Sequence, residues 1–445
     1  MKQLTLTLAV LLLLPAAPAA AATFYVSPSG SDSNPGTASA PWRTVGKVDR
    51  SRFAPGDAIL FRGGSSFTDS TLTPPSSGSA AAPIRFGSYG VGRATISNSG
   101  GAVWLAPGAH DLSFANLDLS SSASVVFASA GTGPGATRIL ISGCAIEDSP
   151  DAGLINQPQD RAWTIRRTRF SHLGDSGLLI QGDDVTIASN TITGTGWNPA
   201  ITYGKHGIYD KGPNTTIADN DISDDSGGSG ISIRDHGARI FDNAIHDTAY
   251  AISLFPEDPA NAGTDAIYYN RMWNITGFAF YADGTNQITG TPSRLNVLWS
   301  SNTVELSGAP EAVNLSEVSQ AQIWIANSVF TGSYAVAYLG CAGCREFDND
   351  WYGGASHVPD GQGDLHADPA LSKPPALSPA AGSPLIDAGS RSVTDARYTP
   401  GCDDAVWRYC GGEPDIGAVE FAPAAATAAH PSSRCNPVTT ARRPC

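Results

Sequence analysis

The sequence predicts an all-β chain, a parallel β-helix solenoid built as a single domain, and three observations predict it. The first is a repeat that runs through most of the chain, seen in "TIASNTITGTG", "TIADNDISDDSGGSGISIRD", "RIFDNAIHDTAYAISLF" and "AQIWIANSVFTGSYAVAYL". Each unit reads as a short alternating β stretch, an Asn, a second β stretch, a polar turn and a third β stretch. The second is spacing: Ile187, Ile217 and Ile240 stand 30 and 23 residues apart, which fits coils of a solenoid and not the hairpins of a sandwich. The third is periodicity, since the strands alternate with period two and no segment carries a sustained 3.6-residue apolar stripe, which argues against a helical solenoid.

Taken in order, Met1 to about Ala22 begins with Lys2, continues with the apolar run "LTLTLAVLLLLP" and ends in small residues. This is the pattern of a secretory signal, so residues 1–22 are read as a cleaved leader and the mature protein as exported, either secreted or periplasmic. No later stretch reaches the roughly 18 apolar residues of a membrane span, so no membrane insertion is expected. In the coils, Ile165, Ile187, Ile192, Ile217, Ile222, Ile240 and Ile245 are expected to point inward and pile into one apolar column. Asn190, Asn220, Asn243 and Asn270 recur where the chain turns between strands; Asn tolerates left-handed backbone, and stacked amides can bond along the column, so these are read as structural.

The composition suits many turns around a large stacked core, with 48 Gly and 31 Pro in 445 residues and only 15% charged. Seven Cys in an exported chain favour disulfides. The expected pairs are Cys402–Cys410, Cys341–Cys344 and Cys435–Cys445, with Cys144 left as a buried packing residue. Residues 422–445, rich in Ala, Pro, Ser and Thr, read as a poorly ordered tail.

Function must come from a site, because this architecture hosts many activities. If Gly177, Gly207 and Gly230 are equivalent, Gln181, Lys211 and Arg234 fall in one column and Leu179, Tyr209 and Ser232 in another on the same outer face. Asp210 lands on an inward position, which suggests that the strand ends or bulges there. Lys205 and His206 lie just before this strand and His236 just beyond the next. Two stacked cations suit β-elimination from a uronic acid. Arg can hold the carboxylate through two parallel hydrogen bonds and stabilise the enolate-like transition state. A Lys can serve as base when a neighbouring cation disfavours its charged form.

Two resemblances extend this reading. The opening "TFYVSPSGSDSNPGTASAPWRTVGKV" with "FAPGDAILFRGGSSF", and the closing "GSPLIDAGS…PDIGAVEF", resemble the N-terminal cap and last coil of secreted right-handed β-helix proteins of the pectate-lyase-like superfamily. They imply one right-handed domain over residues 23–421. The stretch from Lys211 to His246 resembles the catalytic coils of the alginate lyase and chondroitinase B family, polysaccharide lyase family six. That resemblance implies Lys211 as base, Arg234 as acid or carboxylate partner, and His236 beside them. The sequence departs from the pattern in the extra Asp235 and in having Lys205 and His206 where many members place calcium-binding acids. No required metal or other cofactor is therefore expected, although the adjacent Asp183 and Asp184 leave a calcium site open beside the simpler reading of a solvated turn.

The net charge is −14, or −15 once Lys2 leaves with the leader. That argues against a nucleic-acid partner and requires local cations to attract an acidic glycan. "DRAWTIRRTRFSH" supplies Arg161, Arg166, Arg167, Arg169 and His172, with pairing to nearby acids as the plainer alternative. The insertion "GTGWNPAITYGKHG" is expected to project beside Lys211, with Trp197 and Tyr203 as subsite walls, whereas Phe255 and Phe280 are read as structural. The resulting expectation is a monomeric lyase acting on an anionic polysaccharide. Lys211, Arg234, Tyr209 and His206 are its catalytic candidates, and Lys205, His236, Trp197, Tyr203 and Arg167 bind substrate. A glycoside hydrolase using Asp183, Asp184, Asp210 or Asp235, a C5-epimerase and a non-catalytic adhesion module remain as alternatives.

Overall fold

Short alternating segments such as Thr186–Ala188, Thr216–Ala218 and Arg239–Phe241 each turn one β-branched side chain inward and pair in parallel with the equivalent segment one coil away. A computed structural model describes residues 21–390 and 413–421, apart from 203, 258–262, 317, 340 and 342. The chain winds into a right-handed parallel β-helix with three strands per coil. Face one is a single 13-stranded sheet running from Thr23–Val26 to Cys344–Phe347. In the middle coils faces two and three are separate strands, as in Thr191–Thr195 and Ile208–Asp210. From Ala244–Leu254 onward one long strand bends through both faces, with a register shift between Thr248 and Tyr250.

The seven inward isoleucines are all buried, but they form two columns and not one. Ile165, Ile187, Ile217 and Ile240 stack on face one, and Ile192, Ile222 and Ile245 stack on face two. The two strands of a coil approach the core from different directions, so each face needs its own column. Burying one such side chain contributes about 2 kcal/mol.

At the corner between faces one and two, the asparagines form a ladder. The side-chain amide of Asn190 donates to Asn220 Oδ1 (2.9 Å), Asn220 to Asn243 (2.9 Å), Asn243 to Asn270 (2.9 Å) and Asn270 to Asn302 (3.0 Å). Each of these acceptor oxygens also takes the backbone N–H of the donating Asn. Replacing Asn243 by alanine strips the buried Asn220 N–H of its acceptor and is expected to cost about 2 kcal/mol, read as a lowered urea midpoint. Midpoints that match the wild type would show the ladder to be dispensable.

The glycines at the start of face three have a steric cause. A Cβ on Gly177, Gly207 or Gly230 would come within 2.6–2.8 Å of the Cγ2 of Ile192, Ile222 or Ile245. The closing motif differs from expectation. Its described residues form no strand; Leu385 and Ile416 cover the outward Val329, and Gly417 N–H bonds to the Asn327 carbonyl (2.7 Å). It is a strap on the outside of the last coils, its apolar residues covering a valine that would otherwise face solvent. At the other end Trp42 stacks on Phe24 (4.9 Å) beside the short helix Val45–Asp49. Cys341 and Cys344 are joined, and Cys144 is a buried free thiol. Cys402, Cys410, Cys435, Cys445 and most of the leader lie outside the described residues. Among those residues no helix is long and apolar enough to cross a membrane.

Candidate active site

Face three places the predicted cations. Leu179, Tyr209 and Ser232 are successive partners across adjacent strands. One position past the strand ends, Lys211 N–H bonds to the Ile180 carbonyl and Arg234 N–H to the Asp210 carbonyl. Lys211 and Arg234 therefore stand on adjacent coils in the register expected. Tyr209 lies against both: its ring centre is 5.4 Å from Lys211 Nζ and 5.1 Å from Arg234 Cζ, and its hydroxyl accepts from Arg234 Nε (3.3 Å). Each contact gives the cation a partly desolvated aromatic face.

A carboxylate that sequence reasoning missed completes the group. Glu257 Oε2 is 2.8 Å from Lys211 Nζ, and Oε1 is 3.8 Å from Arg234 Nε. Its backbone N–H donates to the Arg234 carbonyl (2.7 Å), which fixes it one coil beyond Arg234. Phe255 comes from that same coil and covers the Arg234 guanidinium at 4.3 Å. Phe255 is thus part of the site and not merely structural, whereas Phe280 is fully buried against Trp299, as expected.

Beside Arg234 opens a cleft of 360 Å³ lined by His206, Ser229, Tyr250, Ser253, Phe255, Phe278, Tyr281 and three glycines. Tyr250 stacks on Phe278 (5.4 Å), and Tyr281 packs against both Phe255 and Phe278. The cleft thus has a cation at one end and a wall of aromatic rings suited to the apolar face of a sugar. Ser253 bridges Ser229 (2.7 Å) and Ser232 (3.1 Å) along its floor.

His206 is in this cleft, but as a neutral group. Burial, and secondarily the charge of Arg234, push its pKa down to about 3. Its Nδ1 accepts from the Ser229 N–H (2.9 Å), which leaves the ring proton on Nε2. It can donate a hydrogen bond and cannot act as an imidazolium acid near neutral pH. His206→Gln is accordingly expected to change the height of a pH–rate curve but to remove no ionisation between pH 5 and 8. Initial rates across that range test this, and loss of a limb in the variant would contradict it.

The other predicted residues fall elsewhere. Asp210 is inward, as its parity predicts, and the strand Ile208–Asp210 ends on it; its side chain points into the core with no exposed surface. It accepts from the Thr215 hydroxyl (2.9 Å) and the Gly212 N–H (3.2 Å). Burial pushes its pKa up to about 7. Trp197 does not wall the cleft. Asn198 bonds back to the Gly174 and Pro150 carbonyls and draws the insertion over earlier coils, where Trp197 stacks on His172 (5.2 Å). Tyr203 lies outside the described residues. Lys205 precedes His206 with a left-handed backbone (φ 67°), its N–H held by Asp175 Oδ1 (3.0 Å). His236 sits past Arg234, 2.7 Å from the Asp235 carboxylate, and is not a lining residue of the cleft.

Arg167 stands at the corner between faces one and two, away from the corner that carries Lys211, because its segment turns there with φ 49°. Of its neighbours, Arg161 pairs with Asp183 (2.9 Å), Arg169 with Glu147 (2.6 Å) and His172 with Asp148 (2.8 Å). Asp183 also accepts from Asn214 (3.0 Å). Among the described residues no group of three or more His, Cys, Asp or Glu is placed to hold a metal ion.

Comparison with known proteins agrees with the fold. A family model described as a right-handed β-helix region matches residues 133–293. No curated protein matches the chain. Among solved structures, a GH136 lacto-N-biosidase from Eubacterium ramulus aligns with 15% identity and a TM-score of 0.53, over 78% of this chain and 68% of that one. Pectate lyase Pel9A aligns at 15% identity and 0.51 over 90% and 96%. The PL6 family alginate lyase AlyGC aligns at 13% identity and 0.50 over 85% and 59%. At these identities the likeness is one of architecture, and the chain is a right-handed parallel β-helix.

Proposed function

We propose that this protein is an exported polysaccharide lyase that cleaves a uronate-containing glycan by β-elimination. The observation that carries the reading is that a carboxylate, that of Glu257, already lies between Lys211 and Arg234. A spacing that admits this carboxylate also suits the carboxylate of a bound uronate. Arg234, stacked between Tyr209 and Phe255, holds that group and stabilises the charge that develops on it. Lys211 Nζ is the base that takes the proton at C5. The electron pair of that C–H bond forms the C4–C5 double bond as the C4–O bond breaks, and the departing oxygen takes the Tyr209 hydroxyl proton. The aromatic wall packs against the neighbouring sugar.

The cleft lining supports elimination over hydrolysis. None of its lining residues is an acid, and Glu257 beside it is engaged with Lys211, whereas a two-carboxylate hydrolase needs a pair flanking the bond. Asp210 faces the core and Asp183 is bound to Arg161. A glycan substrate is also in keeping with the named activities of the structural relatives, which include both lyases and a lacto-N-biosidase. The deciding experiment incubates the protein with alginate, glucuronan and pectate and reads both ultraviolet absorbance and reducing ends. A lyase raises both signals together; reducing ends without absorbance would identify a hydrolase, and neither signal would identify a binding module.

A further inference from the structure

Glu257 has a second consequence, which rests on the uronate reading above. Its backbone is anchored to the Arg234 carbonyl, but its side chain is 21% exposed and, among the described residues, makes one close ion pair, with Lys211, and one long one, with Arg234. Such a side chain can swing into solvent without disturbing a strand. While it stays, an incoming uronate meets a like charge in the position its own carboxylate must take. A neutral sugar has no group able to replace it against two cations.

We infer that Glu257 is a specificity gate, an internal carboxylate that competes with the substrate carboxylate for Lys211 and Arg234. Binding a uronate exchanges one carboxylate for another at the cation pair, so the pair is never left uncompensated. A neutral glycan leaves Glu257 in place and Lys211 engaged. The gate lowers the affinity for the correct substrate and in return denies the base to sugars that lack a carboxylate. Selectivity of this kind comes from a repulsive element as well as an attractive one.

Calorimetric titration of the wild type and of Glu257→Gln with D-galacturonate, D-mannuronate and neutral D-galactose tests this. The variant is expected to bind a uronate about tenfold more tightly, as a partly buried charge pair of this kind permits, with galactose unchanged. Glu257→Ala should move in the same direction and guards against an effect peculiar to the amide. Equal uronate affinity in wild type and variants overturns the gate and leaves the uronate reading standing. Weaker uronate binding in the variants also overturns the gate, since Glu257 would then be helping to hold the substrate. Failure of every form to bind either uronate overturns the uronate reading and the gate with it.

Discussion

Replacing Lys211 by alanine is expected to lower lyase turnover by about 10³-fold while changing glycan affinity by no more than about threefold, because a positioned general base is worth 10²–10⁴ in rate and the carboxylate is held mainly by Arg234. Measuring the two quantities separately matters. A purely structural role for Lys211 would lower both together and reduce the melting temperature, since its ammonium is tied to Glu257. Wild-type turnover in the variant would end the assignment of Lys211 as base. The same assay on Arg234→Ala should show the opposite emphasis, with KM rising as well as kcat falling.

The second large effect concerns stability. Asp225 is buried at the corner between faces two and three. One carboxyl oxygen accepts from the Thr195 hydroxyl (2.5 Å), and the other has no hydrogen-bond partner among the described residues. Burial pushes its pKa up to about 8, from an ordinary value of 3.8. The folded chain therefore keeps a proton that the unfolded chain gives up from about pH 4. Stability from this group is complete below pH 4 and is lost progressively as pH rises to about 8. Asp210, at about 7, adds to the loss over a slightly narrower window. Asp225→Asn retains the shape and the Thr195 bond but has no charge to suppress, so at pH 8 it is expected to be more stable than the wild type by on the order of 4 kcal/mol. At pH 4 the two should be nearly equal. Denaturant midpoints at both pH values check this, and a shift independent of pH would place the effect in packing instead.

The parts of the site that were legible in the sequence share one cause. Gly177, Gly207 and Gly230 mark the start of face three because any Cβ there would strike an isoleucine on the face-two strand of the next coil. Counting from them fixed Tyr209, Lys211 and Arg234 correctly. In the next coil that marker is lost, since Ala251 occupies the equivalent position and faces two and three merge into Ala244–Leu254. For that reason Glu257 was not picked out and Phe255 was read as structural. Parity placed the Asp210 carboxylate in the core correctly, but sequence alone does not show the Thr215 hydroxyl and Gly212 N–H that make it tolerable there. Trp197 was misplaced because an insertion's length predicts that it projects but not which way it leans, and Asn198 decides that through two carbonyls from distant coils.

The pairing that puts Lys211 and Arg234 on neighbouring coils also sets a scale. Parallel strands lie about 4.8 Å apart whatever length of loop joins them, so the 23 residues between these two positions vanish as a distance. The outer face is in effect a ruler graduated by coil, on which Gln181, Lys211, Arg234, Phe255 and Asp283 occupy successive marks. Corner loops can lengthen, as the one before His206 has done, without moving a mark. A chain built this way can shift its chemistry along a bound polymer by whole graduations, exchanging side chains on one line while the backbone stays the same.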